Sequence, residues 1–459
     1  MKIIVLGAGQ VGRTVAENLA HENNDVTVVD TNNQVLQELQ NRTDLRAVLG
    51  QASYPDVLRE AGAEDADMII AATDSDETNI VAIQIAYTLF RTPSKIARIR
   101  SREYIREKHL FDNDHIPINA VISPETLVTD HIQRIIEHPG AIQVVDFAHG
   151  KVRLVGVKVD DNAPLAGKPL STLRQNLPDV KTRVTAIYRR EEAIIPKGDT
   201  EILADDIVFF LGERNRTAEV MAQFHRVDRP SRRVMIAGGG NIGSALAQRL
   251  SSHYRVKIIE RDATRAQWLS SYLESNRTVV LHGDAANYEM LREEGIDDQD
   301  FFCALTNDDE ANILSAMQAK SMGAGKIMSL INRKEYVELV EKDIIDVAIS
   351  PHQITIGALL THIRRGDVVA VHSLRKGSAE ALEGVAHGDP ETSPVVGRAI
   401  EDIELPQDAT IGAVVRGEEV FIAHHDLVIE PEDHLIVLVV NKSQIAEVEK
   451  LFQVGLTFI

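Results

Sequence analysis

The sequence predicts an α/β protein with two Rossmann-like, doubly wound parallel-sheet domains, each followed by a small β-rich α+β domain. Three observations predict this fold. The chain repeats itself at a displacement of about 230 residues. Each repeat opens with a short apolar run and a glycine-rich turn, and β-type runs then alternate with amphipathic helical stretches. Such alternation is typical of βαβ units around a parallel sheet, and 459 residues are enough for several domains.

The repeat consists of matched segments that follow one another in the same order in both halves. The matched pairs are Gly7–Gly12 with Gly238–Gly243, Val26–Asp30 with Val256–Glu260, Leu58–Gly62 with Leu291–Gly295, and Ala72–Asn79 with Leu305–Asn312. Because the order is kept as well as the residue types, we infer a tandem duplication of one unit.

A serine–proline pair predicts the start of one helix in each repeat. Ser123-Pro124 and Ser350-Pro351 each follow a short apolar run, and this pair suits the N-cap and first position of a helix. The helices carry apolar residues at helical spacing, a pattern that favours core over interface. These residues are Val128, Ile132, Ile135 and Ile136 in one helix, and Ile356, Leu359, Leu360 and Ile363 in the other.

Short strands separated by turn residues predict a β-rich domain after each of these helices. The segment 184–208 aligns without a gap on 411–435. We therefore divide the chain into a first Rossmann domain, a first β-rich domain, a second Rossmann domain and a second β-rich domain, with Arg229–Arg232 as the linker between copies. The predicted ranges are 1–137, 138–228, 229–365 and 366–459.

Composition excludes several classes of function. The net charge is −20 with both signs mixed along the chain, which argues against nucleic acid and against direct binding to anionic lipid. The N-terminus lacks the pattern of a signal peptide, and the apolar runs are shorter than the roughly 20 residues of a spanning helix. With Cys303 as the single cysteine, neither a disulfide nor a cysteine-based metal site is expected. We expect a soluble cytoplasmic protein whose membrane role, if any, runs through a partner.

The glycine motifs predict two dinucleotide-binding sites. The first glycine permits the tight turn, the second lets a pyrophosphate approach the backbone, and the third lets helix and strand pack closely while the helix N-terminus faces the phosphates. A glycine turn that packs without a ligand is the alternative, which two complete copies disfavour. The candidate residues are Gly7, Ala8, Gly9, Gln10, Val11 and Gly12 in the first copy, and Gly238, Gly239, Gly240, Asn241, Ile242 and Gly243 in the second.

An acidic residue ends the second predicted strand of each repeat. Asp30 and Glu260 stand there, where a carboxylate can accept hydrogen bonds from a ribose diol. The same carboxylate would repel a ribose 2′-phosphate, which favours NAD(H) over the phosphorylated forms. Adenine nucleotides such as ATP or ADP fit the same half of the site.

Two further segments are expected at the carboxyl ends of the strands. Thr73 and Asp74 follow one predicted strand, and Thr306 and Asn307 follow its counterpart. The threonine hydroxyls suit phosphate or ribose, with helix N-capping as the alternative. Arg98 is the candidate phosphate partner of the first copy, with Arg100 as the alternative residue. The second copy, read as 326–331, lacks this arginine, so the two sites should differ in affinity or ligand.

The sequence contains no recognisable catalytic group. No Ser/His/Asp triad signature and no phosphate loop ending in Gly-Lys-Ser/Thr occur, and Cys303 is expected to be buried and inert. His424-His425-Asp426 is read as a turn and not as a metal site. An NAD-dependent oxidoreductase is the alternative function, but it would need a proton donor and a substrate pocket that the β-rich domains do not offer. We predict no catalytic residues and no metal.

These segments together resemble a known family. GAGQVG, the acid at Asp30, ATDSDETN, ARIRSREY and the Ser-Pro helix resemble RCK (KTN) domains, and two copies in one chain resemble the regulatory subunits of bacterial Trk potassium-uptake systems. The resemblance implies binding of NAD(H), with ATP or ADP as further ligands, and assembly into a dimer or a tetrameric ring. It implies control of a TrkH/TrkG-like integral membrane potassium-translocating subunit at the inner face of the inner membrane. It also implies that Ile132, Ile136, Leu359 and Leu360 contribute to assembly.

Overall fold

The chain folds into two compact units. The computed structural model describes residues 1–21, 24–112, 114–190, 192–225, 232–273, 275–340, 344–362, 368–374 and 379–453. The first unit contains residues 1–127 together with the helix that starts at Pro351. The second unit contains residues 128–350 together with the C-terminal β-domain.

The first unit is built on a six-stranded parallel sheet. Its strands are β1 (Lys2–Leu6), β2 (Asp25–Asp30), β3 (Arg46–Leu49), β4 (Met68–Ala71), β5 (Ser94–Arg98) and β6 (Ala120–Ile122). The strand order is β3-β2-β1-β4-β5-β6, so the direction of winding reverses between β1 and β4. In a doubly wound sheet this reversal opens the crevice in which ligands bind.

Helices cover both faces of this sheet, because its central strands β1 and β4 are apolar and buried on both sides. They are α1 (Gln10–His21), α2 (Asn33–Gln40), α3 (Pro55–Glu60), α4 (Asp76–Ile85) and α5 (Arg102–Arg106), with α6 (Pro124–Glu137) beginning at the end of the unit. Alternate residues of β1 belong to different apolar clusters, Val5 to the α1 side and Leu6 to the α3 and α4 side. Burial on both sides is typical of parallel strands.

One helix of the first repeat contains an irregular turn. After α4 the chain forms a π-helical turn at Ala86–Phe90, which ends at Arg91 in the left-handed conformation with φ of 57°. A π turn accommodates one more residue than an α turn. The corresponding helix of the second repeat has no such turn along its described residues.

The second unit begins with the first β-domain. Its strands are β7 (Ala141–Phe147), β8 (Val152–Lys158), β9 (Lys168–Pro169), β10 (Thr182–Arg189), β11 (Glu192–Ile194), β12 (Glu201–Ile202) and β13 (Ile207–Glu213), and its helices are α7 (Ser171–Asn176) and α8 (Thr217–Phe224). Five strands form an antiparallel sheet in the order β11-β10-β13-β8-β7, and β9 pairs with β12.

The second Rossmann domain repeats the first. Its strands are β14 (Arg233–Ala237), β15 (Arg255–Glu260), β16 (Thr278–His282), β17 (Phe301–Ala304), β18 (Lys326–Leu330) and β19 (Val347–Ile349). Its helices are α9 (Asn241–Leu250), α10 (Ala263–Tyr272), α11 (Tyr288–Glu293), α12 (Asp309–Ser321) and α13 (Lys334–Val340). The sheet order β16-β15-β14-β17-β18-β19 is that of the first sheet, which confirms the predicted duplication of a doubly wound domain.

The second β-domain repeats the first. After α14 (Pro351–Thr361) come β20 (Val368–Leu374), β21 (Ala379–Val385), β22 (Ala409–Arg416), β23 (Glu419–Ile422), β24 (His434–Val439) and α15 (Ile445–Lys450). Their antiparallel order, β20-β21-β24-β22-β23, is that of the first β-sheet. Within the second unit the two β-sheets share one apolar cluster, in which Leu154 and Phe209 of the first meet Ala381 and Ile436 of the second.

The two Ser-Pro helices are exchanged between the repeats. In the first unit, α14 packs against α1, and Leu359 lies in the apolar cluster of that sheet with 2% exposure. In the second unit, Asp130 of α6 accepts a hydrogen bond from Arg249 of α9. Ile132 and Ile136 are fully buried. The part of Ile132, Ile136 and Leu359 in assembly stays a prediction. The side chain of Leu360 lies outside the described residues, and its part in assembly stays a prediction.

Candidate dinucleotide-binding sites

The first candidate site is the turn between β1 and α1. Gly7 has φ of +97°, and a Cβ there would lie 2.9 Å from the Cα of Thr73. A Cβ on Gly12 would lie 1.9 Å from the carbonyl oxygen of Gly7, so helix and turn can meet only at a glycine. Both glycines are therefore explained by the fold itself.

Gly9 is different, because neither conformation nor packing demands a glycine there. Its φ is outside the left-handed region, and within the described chain no atom beyond its neighbours lies within 4 Å of the Cβ position. Gly9 and Gln10 are exposed at the start of α1, and the first turn of this helix carries no acidic residue. The positive end of the helix dipole is thus left available to an anion.

The carboxylate of Asp30 is held against this turn. Its Oδ2 accepts a hydrogen bond from the Ala8 amide at 2.6 Å, and its Oδ1 accepts one from the Asn32 amide at 2.8 Å. Asn32 in turn caps α2 through its side chain. The predicted acid and the glycine turn therefore come together, with the acid fixed in orientation by two backbone donors.

Thr73 lies directly after β4, where the sequence placed it, but its hydroxyl is already engaged. The Thr73 hydroxyl donates to Oδ1 of Asn79 at 2.7 Å, and the side-chain Nδ2 of Asn79 donates to the backbone carbonyl of Arg98 at 2.9 Å. The N-cap of α4 is Ser75, so the alternative that Thr73 caps the helix is wrong. Asp74 is exposed beside this turn.

Arg98 ends β5 next to the same turn. Its Nη1 lies 3.4 Å from the carbonyl oxygen of Thr73, and its buried Nε has no hydrogen-bond partner among the described residues. Burial lowers the pKa of Arg98, and the neighbouring Arg100 lowers it further. Arg100, the alternative candidate, forms a 3.0 Å ion pair with Glu125 instead. A desolvated guanidinium with an unused donor is suited to an anionic ligand.

The second candidate site repeats the backbone of the first. Gly238 has φ of +104°, and a Cβ on Gly243 would lie 2.0 Å from the carbonyl oxygen of Gly238. Gly240 again has no described atom within 4 Å of its Cβ position, other than its chain neighbours. Glu260 accepts hydrogen bonds at 2.8 Å from the amides of Gly239 and Asp262. Asn241 is exposed and Ile242 half-buried at the start of α9.

The hydrogen bonds that Thr73 and Asn79 form after the fourth strand are also repeated, and we call this arrangement the asparagine clamp. Thr306 donates to Oδ1 of Asn312 at 2.7 Å, and Asn312 donates to the carbonyl of Leu330 at 3.0 Å. Asp308 caps α12, so Thr306 is not the cap either. Asn307 is exposed, like its counterpart in the first copy.

Side chains around the second turn differ from the first. Leu330 occupies the position of Arg98. The side-chain amide of Asn79 donates to the carbonyl of Arg98, and the equivalent amide of Asn312 donates to the carbonyl of Leu330. Gly239 replaces Ala8, and its carbonyl accepts a 2.9 Å hydrogen bond from Nε of Arg265. Arg265 also lies over the exposed ring of Trp268, 4.2 Å from the ring centre. The second site therefore has its arginine on the α10 side of the turn.

Sequence reasoning missed the residues that tie the strand ends together. Asn79 and Asn312 are buried, and each bridges two neighbouring strand ends. Asp76 and Asp309 are buried too, and each accepts hydrogen bonds from two consecutive amides after the fifth strand. Their signal was present, because all four residues occupy matching places in the two aligned segments.

Other candidate chemistry finds little support in the described part of the chain. Cys303 is fully buried in β17, and burial raises the pKa of its thiol to about 12, as expected for an inert residue. Over the described ranges, no group of three or more His, Cys, Asp or Glu side chains could hold a metal ion. No helix found there is both long and apolar enough to cross a membrane.

Comparison with known families matches all four domains. The TrkA-N domain matches residues 3–124 and 234–351, and the TrkA-C domain matches residues 154–225 and 389–453. The fold is shared with the RCK domain of GsuK, with a TM-score of 0.61 at 19% identity over 98% of this chain and 94% of that one. A GsuK channel bound to NAD gives the same TM-score and identity over 98% of this chain and 78% of that one. The protein is thus a tandem TrkA-N and TrkA-C protein of the RCK fold class.

Full-length relatives define the family more narrowly. Trk system potassium uptake protein TrkA is 58% identical in Halomonas elongata over 100% of both chains, and 58% identical in Vibrio alginolyticus over 99% of both. The Haemophilus influenzae protein of that name is 48% identical over 100% of both. The chain belongs to this TrkA family of potassium uptake proteins. This membership confirms that it is a non-enzymatic component and makes the oxidoreductase alternative wrong.

Proposed function

We propose that the chain is a nucleotide-sensing regulatory subunit, which binds NAD(H) or adenine nucleotides and controls a membrane potassium-translocating partner at the inner face of the membrane. The glycine turns, Asp30 and Glu260 form the nucleotide sites in this proposal. Membership of the TrkA family supports the role in potassium uptake, because the full-length relatives carry that role in their name.

The observation that carries the nucleotide proposal is Gly9. Gly7 and Gly12 are needed by the fold, but an alanine at position 9 would meet no described atom beyond its chain neighbours within 4 Å. A glycine is nevertheless present, and Gly240 occupies the same place in the second copy. Space for a ligand against the backbone explains both glycines, and that is the role a pyrophosphate assigns to the second glycine of the motif.

The residues around the first turn fit the remaining parts of such a ligand. A carboxylate has about four acceptor positions, and Asp30 uses two of them for the amides of Ala8 and Asn32. The others can receive ribose hydroxyls. Arg98, a half-buried cation at the end of β5 beside this turn, is suited to a phosphate. The second copy keeps the acid but has Leu330 in place of Arg98, so we expect weaker binding of phosphate groups there.

Regulation follows from binding without any bond being broken. A ligand that favours one arrangement of the chain shifts the population toward that arrangement by its difference in affinity. Coupling free energies are typically about 1–3 kcal/mol per site, and several sites in one assembly would add. The partner then responds to the arrangement and not to a reaction product.

Calorimetric titration of the purified chain with NADH, NAD, NADPH and ATP tests the binding step. We expect NADH or ATP to bind and NADPH to bind more weakly, because Asp30 and Glu260 repel a 2′-phosphate. Asp30→Ala and Glu260→Ala should each remove one class of site. Asp25→Ala is the matched control, since Asp25 is exposed at the opposite end of the same strand β2. Absence of binding by all four ligands would leave the turns as scaffold only.

Potassium flux through the reconstituted partner tests the regulatory step. We expect flux to change when NADH or ATP saturates the wild-type chain and to respond less in the Asp30→Ala chain. Flux that ignores both nucleotides, in a chain that binds them by calorimetry, would contradict the regulatory role while leaving the binding sites intact.

A further inference from the structure

The two β-domains meet through equivalent strands. Among the bulges of the two five-stranded sheets, one pair lies at equivalent places, at Thr185 in β10 and at Gly412 in β22. These two residues face each other, since a Cβ built on Gly412 lies 2.8 Å from Cγ2 of Thr185. Contact between equivalent residues is the mark of a two-fold, isologous arrangement. The contact lies inside one chain, between its two unlike halves.

At this central contact the two halves are complementary in shape. Thr185 is buried, and its hydroxyl donates to the carbonyl of Phe209 at 3.2 Å, which fixes its side chain. Gly412 leaves the space that Thr185 fills, and a Cβ there would also lie 2.3 Å from Cδ1 of Leu211. One face supplies a side chain and the other supplies the gap.

Two cations of the first β-domain donate hydrogen bonds across the interface to carbonyls of the second. Lys181 donates to the carbonyl of Val420 at 3.2 Å, and Arg183 donates to the carbonyl of Ala423. In the register of the second sheet, the equivalents of these two cations are Asp408 and Thr410. Neither has a side-chain N–H group, so the second face has no matching cations to offer in return.

A buried carboxylate adds a further one-sided contact. Glu383 accepts hydrogen bonds from the backbone amide of Ala148 at 2.9 Å and from Nδ1 of His434 at 2.6 Å. Its equivalent in the first sheet is Gly156, where a Cβ would lie 2.7 Å from the ring of Phe209. The first face therefore cannot supply this carboxylate in return.

We propose that the packing face of the first β-domain is specific for the face of the second β-domain and rejects a second copy of itself. Two first faces would bring Thr185 against Thr185 in a space that admits only one side chain. Two second faces would leave a hole at Gly412 and the carbonyls of Val420 and Ala423 without donors. Each pair of packed β-domains therefore contains one first and one second β-domain. Association between chains must use other surfaces.

Zero-length carbodiimide cross-linking of the native full chain tests the pairing directly. Nζ of Lys151 lies 2.9 Å from Oε1 of Glu418 across this interface, so an amide between them is the expected product. Glu418→Gln is the control that should abolish it. A cross-link from Lys151 to Glu191, the residue that aligns with Glu418 in the first β-domain, would reveal pairing of like faces and overturn the proposal.

A swap of the central residues tests how the selection is made. Gly412→Thr should lower the melting temperature and remove most of the Lys151–Glu418 product, because two threonines then compete for one space. Adding Thr185→Gly in the same chain should restore part of both, because Leu211 must still shift away from the new side chain. A Gly412→Thr chain that matches the wild type, or a double variant no better than the single one, would overturn the proposal. If neither variant folds, the cross-link in the native chain still decides.

Discussion

The first and second Rossmann domains have the same backbone turn but different side chains around it. Both have a left-handed first glycine, a packed third glycine and an acid held by two amides. The first has Ala8 and Arg98 at positions where the second has Gly239 and Leu330. The second instead has Arg265, bonded to its turn. The comparison shows that the two copies share the residues that shape the backbone turn and differ in the side chains that would contact a ligand.

The largest expected effect is a loss of stability. It should be equal in the two copies, because the third glycine of the motif packs in the same way in both. Gly12→Ala and Gly243→Ala each force a Cβ to within about 2 Å of a backbone oxygen that cannot move aside. We expect each to lower the free energy of unfolding by about 3 kcal/mol, at the upper end of overpacking effects. Chemical denaturation measures this, with Gly9→Ala and Gly240→Ala as controls that should lose about 1 kcal/mol at most, since Gly240 is the N-cap of α9. A tolerated Gly12→Ala would refute the packing role.

The next largest effect concerns nucleotide affinity, in which the two copies should differ. Arg98→Leu gives the first site the residue of the second, and we expect nucleotide affinity there to fall by about 1.5–3 kcal/mol, the usual contribution of a hydrogen bond to a charged group. Calorimetry measures this, and Arg42→Leu, at an exposed position of the same domain, is the control. Equal affinity of the Arg98→Leu and wild-type chains would show that this arginine does not contact the ligand.

A smaller effect should come from the second residue of each motif. Gly239→Ala gives the second turn the residue of the first, and its Cβ would lie 2.2 Å from Cδ1 of Leu269, a side chain that can shift. We expect a loss of about 1 kcal/mol of unfolding free energy, and a similar loss from Ala8→Gly through backbone entropy. Thermal melts of both variants check this, and a stabilised Gly239→Ala chain would contradict it.

A further effect should depend on pH, and Lys326 of the second copy is the group responsible for it. Burial lowers the pKa of Lys326 from 10.5 to about 8. Between these values the unfolded chain binds more protons than the folded chain, so this group makes the free energy of unfolding rise with pH. We expect Lys326→Met to remove this rise, at most about 1.4 kcal/mol per unit of the shift. Urea denaturation from pH 7 to 10.5 measures it, with exposed Lys168→Met as the control. A slope unchanged in Lys326→Met would refute the assignment.

The register of the fifth strand locates the counterpart of Arg98. Lys95 and Lys326 begin similar segments, yet Lys95 pairs beside Ile69 and Lys326 beside Phe301. Arg98 therefore corresponds to Leu330. The clamp bonds span 19 residues in the first copy and 18 in the second, because the π-helical turn of the first copy takes up one more residue.

The sequence by itself determined the duplication, the doubly wound fold class and the two glycine turns with their acids. Periodicity, glycine spacing and the acid after the second strand are local signals, and local chemistry was sufficient to interpret them. It also indicated that Arg98 has no arginine as its counterpart in the second copy.

Only the tertiary structure decided which residues meet across the chain. The exchange of α6 and α14 between repeats, the asparagine clamps and the fit of Thr185 against Gly412 each join residues far apart in sequence. No local pattern specifies such a contact, because a buried helix or sheet face looks the same whichever partner covers it. Close packing decides which faces contact each other, because a single additional Cβ either fits or clashes.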